Sequence, residues 1–162
     1  MKHPVKALVG SALLAWSLAA SGAGGGGGDE MGAKPRNTDP DYVAGMEAVG
    51  RKEWSQVVVH MDSYIKRKPD DADAWTQLGH AHRKSGSIEP ALDAYDKALK
   101  INPKHRGARE YLGEAYLQMN DLPRAEQELK LLDKLCFFPC EEYTDLKAKI
   151  NEYRKTKQAA GS

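Results

Sequence analysis

The sequence predicts an all-α protein built from consecutive helical hairpins, and three observations support this fold class. Apolar and small residues recur at helical spacing in short blocks that turn residues separate, most clearly at Ser85-Gly86-Ser87. Glycines recur every 34 residues, at Gly45, Gly79 and Gly113. Proline would break a helix interior, and Pro90 instead stands in the first turn of an expected helix. A hairpin of this kind cannot bury both faces alone and needs neighbours of its own kind.

Residues 1–23 have the pattern of a cleavable export signal. A basic start precedes the apolar run Ala7–Ala20, and the small residues Ser21-Gly22-Ala23 offer a cleavage point before Gly24. The run is shorter than the about 20 residues that a membrane-spanning helix needs, although an uncleaved N-terminal anchor is the alternative. No cysteine lies near the cleavage point, which disfavours a lipid anchor. We therefore expect a bacterial protein that is soluble in the periplasm, with no membrane insertion of the mature chain.

The elements after the signal follow in order. Residues 24–37 are expected to be a flexible glycine-rich leader that carries no chemistry. Residues 38–139 are expected to form three hairpins, 38–71, 72–105 and 106–139. Tyr143, Leu146 and Ile150 then recur at helical spacing among charged residues. They predict a capping helix over residues 140–157 that covers the apolar edge of the last hairpin, followed by a disordered tail, 158–162.

The three units resemble the tetratricopeptide repeat (TPR), whose pattern is W-x2-L-G-x2-Y, then A-x3-F, then A and P. The middle unit matches best, in seven positions: Trp75, Leu78, Gly79, Ala91, Tyr95, Ala98 and Pro103. It departs at His82, where a tyrosine is usual. The third unit has Arg109 in place of the tryptophan, and the first unit is the most divergent. The resemblance implies three TPR hairpins in a short right-handed superhelix, closed by the capping helix.

In the TPR family the first helices of the hairpins line a concave groove that binds peptides or partner helices. Carried over by position, the resemblance places in the groove Tyr42, Met46, Val49, Asp73, Thr76, Gln77, His80, Arg83, Lys84, Glu110, Tyr111, Glu114, Leu117 and Gln118. This wall is apolar at one end, basic in the middle and acidic further on. We expect a protein or peptide partner with a hydrophobic anchor and an acidic group that meets Arg83 and Lys84. Some TPR proteins hold chaperone C-termini with Lys and Asn at certain groove positions. Here those positions carry Tyr42, Met46, Thr76 and His80, so that specific partner is not expected.

Cys136 and Cys140 are the only cysteines, and they bracket the segment CFFPC between the third hairpin and the capping helix. In an oxidising periplasm such a pair predicts a structural disulfide. The alternative is a redox or metal-handling accessory protein that uses the two thiols. The spacing is C-x3-C rather than C-x-x-C, which disfavours a thioredoxin-like centre. The segment from Leu135 to Ile150 is also similar to the tail of small exported bacterial TPR proteins.

Other functions find little support in the composition and motifs. The net charge is +1 and no basic cluster is present, so no nucleic-acid partner is expected. No phosphate-binding loop, nucleophile elbow or HExxH motif is present, so we expect no enzyme activity and no cofactor. His80 and His82 point to different helix faces, and no metal site is expected. Self-association is a further hypothesis, through an apolar N-terminal edge made of Tyr42, Val43, Met46, Val57, Val58 and Val59.

Overall fold

A computed structural model describes residues 37–160, and these residues form seven α-helices and no β-strand. The predicted signal, the leader before Asn37 and residues 161–162 lie outside this range. The helices are α1 Pro40–Arg51, α2 Trp54–Arg67, α3 Ala72–Lys84, α4 Ile88–Ile101, α5 Arg106–Gln118, α6 Leu122–Leu135 and α7 Glu141–Ala160. They pack as three successive hairpins, and α7 packs on both α5 and α6. The predicted all-α class is confirmed.

Aspartates cap several of the helices. The Asp39 carboxylate accepts from the backbone N–H of Asp41 at the start of α1, and the Asp121 carboxylate accepts from that of Arg124 in α6. Asp71 begins α3, where it accepts from two backbone N–H groups and also from the Tyr64 hydroxyl at 2.7 Å. These bonds satisfy donors that a helix N-terminus leaves without a partner. Asp71 thereby fixes the end of α2 to the start of α3.

The first two recurring glycines lie where two helices approach most closely. A Cβ atom on Gly45 would fall 2.6 Å from the terminal methyl of Met61, and one on Gly79 would fall 2.6 Å from the ring of Tyr95. Met61 and Tyr95 are fully buried on the second helices of the same hairpins. A side chain at either glycine would therefore overlap its neighbour. Close approach of the second helix therefore accounts for glycine at both of these positions of the 34-residue period.

Gly113, at the third of these positions, is covered from a different direction. The nearest side chain belongs to Leu146 of α7, whose Cδ2 would lie 2.6 Å from a Cβ on Gly113. Leu146 and Ile150 of α7 are buried, and they join a cluster that includes Leu132 of α6. The seventh helix thus takes the place beside Gly113 that the second helix of the hairpin holds in the other units.

The seventh helix is longer than the sequence suggests, because it runs to Ala160 rather than ending at residue 157. Its last residues are mostly lysine, glutamine and alanine, which favour a helix even when exposed. The segment expected to be disordered therefore begins as helix at residues 158–160. In the described part of the chain, no helix is both long and apolar enough to cross a membrane.

The structure joins Cys136 and Cys140 by a disulfide, with 5.7 Å between the two Cα atoms. The loop that they close connects α6 to α7, and it carries Phe137 and Phe138 in largely exposed positions. Formation of this bond in the isolated protein stays a prediction. Its position at the base of a short loop would fix the entry of α7.

Candidate binding groove

The first helices of the hairpins form one wall of the molecule, because α1 contacts α3, α3 contacts α5, and α5 contacts α7. A cavity of about 510 Å³ opens on this wall. Its lining residues come from the first two hairpins and from α5: Val49, Lys52, Trp54, His80, Arg83, Lys84, Tyr111 and Glu114. Six of these eight are residues that the sequence places in the groove. The cavity is therefore the central part of the predicted site.

Three aromatic rings form the floor of this cavity, and we call Trp54, His80 and Tyr111 the aromatic floor. The ring centroids of Trp54 and His80 are 5.2 Å apart, and those of His80 and Tyr111 are 4.3 Å apart. Trp54 was not predicted from the sequence, because it is the first residue of α2, a second helix, and the TPR resemblance implies groove residues on first helices. The rings are tilted by 37° and 39° to their neighbours, and together they offer an aromatic surface for a bulky side chain of a ligand.

His80 is neutral at physiological pH in this setting. Burial is the main cause that lowers its pKa to about 4, and the positive charges of Arg83 and Lys84 lower it further. Both ring nitrogens are buried and have no hydrogen-bond partner within the described residues. The neutral ring can donate one hydrogen bond and accept one. Because both nitrogens are buried, His80 contributes packing rather than a polar contact to a bound segment.

Arg83 has a different role from the one that the sequence suggests. Its side chain is only 2% exposed, and its guanidinium Nη1 lies 2.7 Å from Oε2 of Glu114 on α5. The guanidinium also lies over the Tyr111 ring, 5.6 Å from its centroid. Since α3 and α5 are adjacent, the two predicted groove residues satisfy each other's charge. Arg83 therefore links α3 to α5. Lys52 and Lys84 are the exposed cations beside the aromatic floor.

Three further predicted groove residues make contacts within the fold, and one of them, Leu117, also lines a cavity beside α7. Thr76 is 2% exposed and donates to the backbone carbonyl of Ala72. Leu117 is buried in the cluster beneath α7. Asp73 lies 2.9 Å from Nε2 of His105, the residue that caps α5. Thr76 and Leu117 are buried when the helices pack, whereas Asp73 keeps a side chain that is 40% exposed. The helical spacing within one unit reveals none of these contacts.

The apolar N-terminal edge is smaller than the sequence predicts. Val57 is fully buried, and Tyr42 packs edge-on against Tyr64, with 5.2 Å between ring centroids. Val59 remains 60% exposed. The other exposed apolar residues of this hairpin are Val43 and Met46. The basis for self-association through this edge is therefore three side chains rather than six.

The acidic end of the wall lies between α5 and α7. A pocket of about 260 Å³ is lined there by Gly107, Glu110, Tyr111, Glu141, Glu142 and Asp145. Burial, followed by the nearby charges of Glu114, Asp145 and Glu142, raises the pKa of Glu110 to about 8. Glu110 is thus largely protonated at neutral pH. Glu110 was predicted from the sequence as a groove residue. The carboxylates of α7 that line the same pocket were not predicted, because α7 was expected only to cover the last hairpin.

The seventh helix also extends the groove along its other half. A second cavity, of about 390 Å³, joins Lys84, Glu114 and Gln118 to side chains of α7 such as Lys149 and Tyr153. Of the other predicted residues, Val49 of the central cavity lies on α1 and Gln77 lies on α3. The Gln77 Oε1 atom is buried and has no hydrogen-bond partner in the described residues. The structure therefore shows a groove with an aromatic centre, exposed lysines beside it and an acidic end at α7.

Comparison with known proteins agrees with this arrangement. Residues 72–105, which are α3, α4 and their flanking turns, match the family model described as tetratricopeptide repeat. The chain therefore contains a tetratricopeptide repeat at residues 72–105. The matched residues are those of the middle unit, which carries the best agreement with the TPR pattern in the sequence.

The curated relatives are much longer chains than this one. It is 26% identical over 110 residues to Superkiller protein 3 of Saccharomyces cerevisiae, an alignment that covers 67% of this chain and 8% of that protein. It is 27% identical over 75 residues to cytochrome c-type biogenesis protein CcmH of Escherichia coli, which covers 46% of this chain and 21% of that protein. The chain thus spans about a twelfth of the first relative and a fifth of the second.

Solved structures share the TPR fold at low sequence identity. One is PcrH in complex with the chaperone binding region of PopD, with a TM-score of 0.64 and 19% identity, covering 72% of this chain and 90% of that chain. Another is the TPR2B domain of yeast Sti1 in its complex with pHsp70, with a TM-score of 0.62 and 21% identity, covering 74% and 94%. Both were solved with a segment or partner bound, as part of protein-interaction systems.

Proposed function

We propose that this TPR protein is an exported periplasmic adaptor that binds a segment of another protein in its groove and helps to assemble an envelope complex. The observation that carries the proposal is the aromatic floor of Trp54, His80 and Tyr111, flanked by the exposed Lys52 and Lys84. The similarity to TPR proteins solved with bound partner segments supports protein binding as the activity. The basic, apolar and small-residue pattern of residues 1–23 supports export.

The groove chemistry favours one kind of ligand segment. A bulky aromatic or aliphatic side chain can pack on the floor, where the rings exclude water. An acidic group beside that anchor can meet Lys52 or Lys84, both of which are exposed. Arg83 is excluded from this role because Glu114 already neutralises it. The expected ligand is a short segment with an apolar anchor and an adjacent carboxylate.

Affinity capture from envelope extract, followed by titration of peptides from the captured protein, tests this proposal. The test variant is Lys52→Glu with Lys84→Glu, which reverses both exposed charges without touching the buried pair. Lys130→Glu on α6 is the matched control, because it changes an exposed lysine outside the lining residues. We expect the double variant to weaken peptide binding by about tenfold or more and the control to leave it unchanged. Equal binding by all three proteins would contradict the proposal.

A second candidate function is a redox or metal-handling accessory role for Cys136 and Cys140. The specific observation in its favour is the similarity to a cytochrome c-type biogenesis protein. Thiol labelling and mass spectrometry of the protein purified from the periplasm distinguish the two functions. A bridge that exchanges readily with mild reductant is expected for the accessory role. A pair that stays fully oxidised under mild reductant, with no bound metal, would count against it.

A further inference from the structure

The loop between α6 and α7 presents the most exposed aromatic surface of the described residues. Phe137 and Phe138 are the only phenylalanines of the chain, and their side chains are 94% and 75% exposed. Their rings contact each other edge to face, with 4.9 Å between centroids. Neighbouring exposed aromatic residues on a small protein indicate an interaction site, because burial of each ring in a partner is strongly favourable.

The loop is held at both ends. Cys136 ends α6 and Cys140 precedes α7, and the structure links them directly. A loop tied in this way has little conformational freedom to lose when it binds, so more of its contact energy is available for association. We refer to residues Cys136–Cys140 as the aromatic loop.

The charges beside the aromatic loop match those of the groove. Glu141 follows the loop and is exposed, while Lys134 precedes it and is also exposed. In the groove, Lys52 and Lys84 lie beside the aromatic floor, and an acidic pocket lies at the α7 end. The loop therefore has the apolar anchor and the adjacent carboxylate that the groove chemistry favours, and its lysine can face the acidic end.

We infer that the aromatic loop of one copy binds in the groove of a second copy. Phe137 or Phe138 packs on the aromatic floor, and Glu141 lies near Lys52 and Lys84. The inference rests on the proposed function, because it requires that the groove accept a peptide segment. Apart from Glu141, which borders both, the two surfaces are different parts of the chain. The contact is therefore head to tail and leaves one loop and one groove unoccupied in each dimer. Further copies can add at both ends.

The association is expected to be weak. Two aromatic side chains bury about 150–250 Å² each, well below the roughly 800 Å² per partner of a standard stable interface. The oligomer should therefore form only as the protein concentration rises. It should also weaken with added salt, because exposed charges of opposite sign steer the two surfaces together.

A membrane surface fits the loop less well than a second copy does. Glu141 and Glu142 follow the aromatic loop directly, and carboxylates are repelled by the anionic headgroups of bacterial membranes. Vesicle binding is nevertheless a clear competing outcome, and the experiment includes it.

Light scattering coupled to size exclusion, over a range of protein concentrations, tests the inference with two complementary variants. The loop variant is Phe137→Ser with Phe138→Ser, and the groove variant is Lys52→Glu with Lys84→Glu. All four changed side chains are exposed, so both variants should fold, and circular dichroism checks this. We expect each variant alone to stay monomeric. Their equimolar mixture should form dimers and nothing larger, because it contains one intact loop and one intact groove.

Several results would overturn the inference. One is a loop variant that associates like the unmodified protein, and another is a mixture that stays monomeric. Loss of association in Val43→Ser with Val59→Ser alone would assign it to the N-terminal hairpin instead. Binding of the protein to anionic phospholipid vesicles, abolished in the loop variant, would assign the loop to a membrane.

An oxidised synthetic peptide of residues 134–143 separates this inference from the proposed function. We expect it to bind the loop variant, whose groove is intact, and to compete with any captured partner segment. If the partner segment binds the groove and the loop peptide does not, the self-association model fails while the adaptor function stands. If neither binds, both fail.

Discussion

Substitution of Gly79 by alanine tests how closely the helices of the middle hairpin pack. The new Cβ would lie 2.6, 2.7 and 3.0 Å from three ring atoms of Tyr95. The Tyr95 side chain is fully buried and its ring is rigid, so it cannot move aside without displacing its neighbours. We expect Gly79→Ala to force α3 and α4 apart.

The magnitude follows from two opposing effects. Alanine in place of glycine inside a helix gains about 1 kcal/mol of folding free energy, whereas overpacking of a core costs about 1–3 kcal/mol. Three ring contacts at 3.0 Å or less place Gly79→Ala at the upper end of that cost. The net expectation is a loss of about 2 kcal/mol in the free energy of unfolding.

The same change elsewhere in the chain supplies the controls. At Gly45 the obstructing atom is the terminal methyl of Met61, which can rotate away, so the net change should be close to zero. At Gly113 the obstacle is the branched end of Leu146, and an intermediate loss is expected. At Gly50 nothing lies within 4 Å, so alanine should stabilise the protein slightly.

Urea unfolding followed by circular dichroism measures all four variants on one scale. The predicted order of stability is Gly50→Ala, then Gly45→Ala, then Gly113→Ala, with Gly79→Ala lowest. If Gly79→Ala is as stable as Gly45→Ala, close packing against the second helix does not explain why glycine recurs every 34 residues. The denaturant slope should stay constant in the series, since each change alters packing rather than the area exposed on unfolding.

Two further predictions concern single carboxylates. Because the pKa of Glu110 is raised to about 8, the folded state holds a proton that the unfolded state releases above its ordinary pKa of 4.5, and stability falls as the pH rises between these values. Glu110→Gln should therefore have little effect on stability near pH 4. Above pH 8 it should stabilise the folded protein by about 1–2 kcal/mol, after allowance for solvent screening. Unfolding curves that show no pH-dependent gain in stability would contradict this. Asp71→Ala should cost about 1–2 kcal/mol through loss of the α3 cap and the Tyr64 hydrogen bond, measured by thermal unfolding against the exposed control Asp70→Ala. Equal stability of the two aspartate variants would show that the cap contributes nothing.

The TPR resemblance placed His80, Lys84, Tyr111 and Glu114 on one wall, and in the structure these side chains line one cavity. Binding of a partner by these residues stays a prediction. Trp54 was missed because its contribution comes from a second helix. A signal was available in the sequence, since an aromatic residue at a helix start beside a predicted groove is unlike the polar residues that begin most helices.

The sequence by itself determined the hairpins, because helical periodicity, proline positions and the glycine register are properties of neighbouring residues along the chain. The sequence could not determine which charged side chains form ion pairs with each other. The pairing of Arg83 with Glu114, the cover that Leu146 gives Gly113 and the raised pKa of Glu110 each depend on contacts between helices distant in sequence. Burial and charge pairing are decided only when these helices pack. For this reason Arg83, which the sequence predicts to bind a ligand, instead pairs with Glu114 inside the fold.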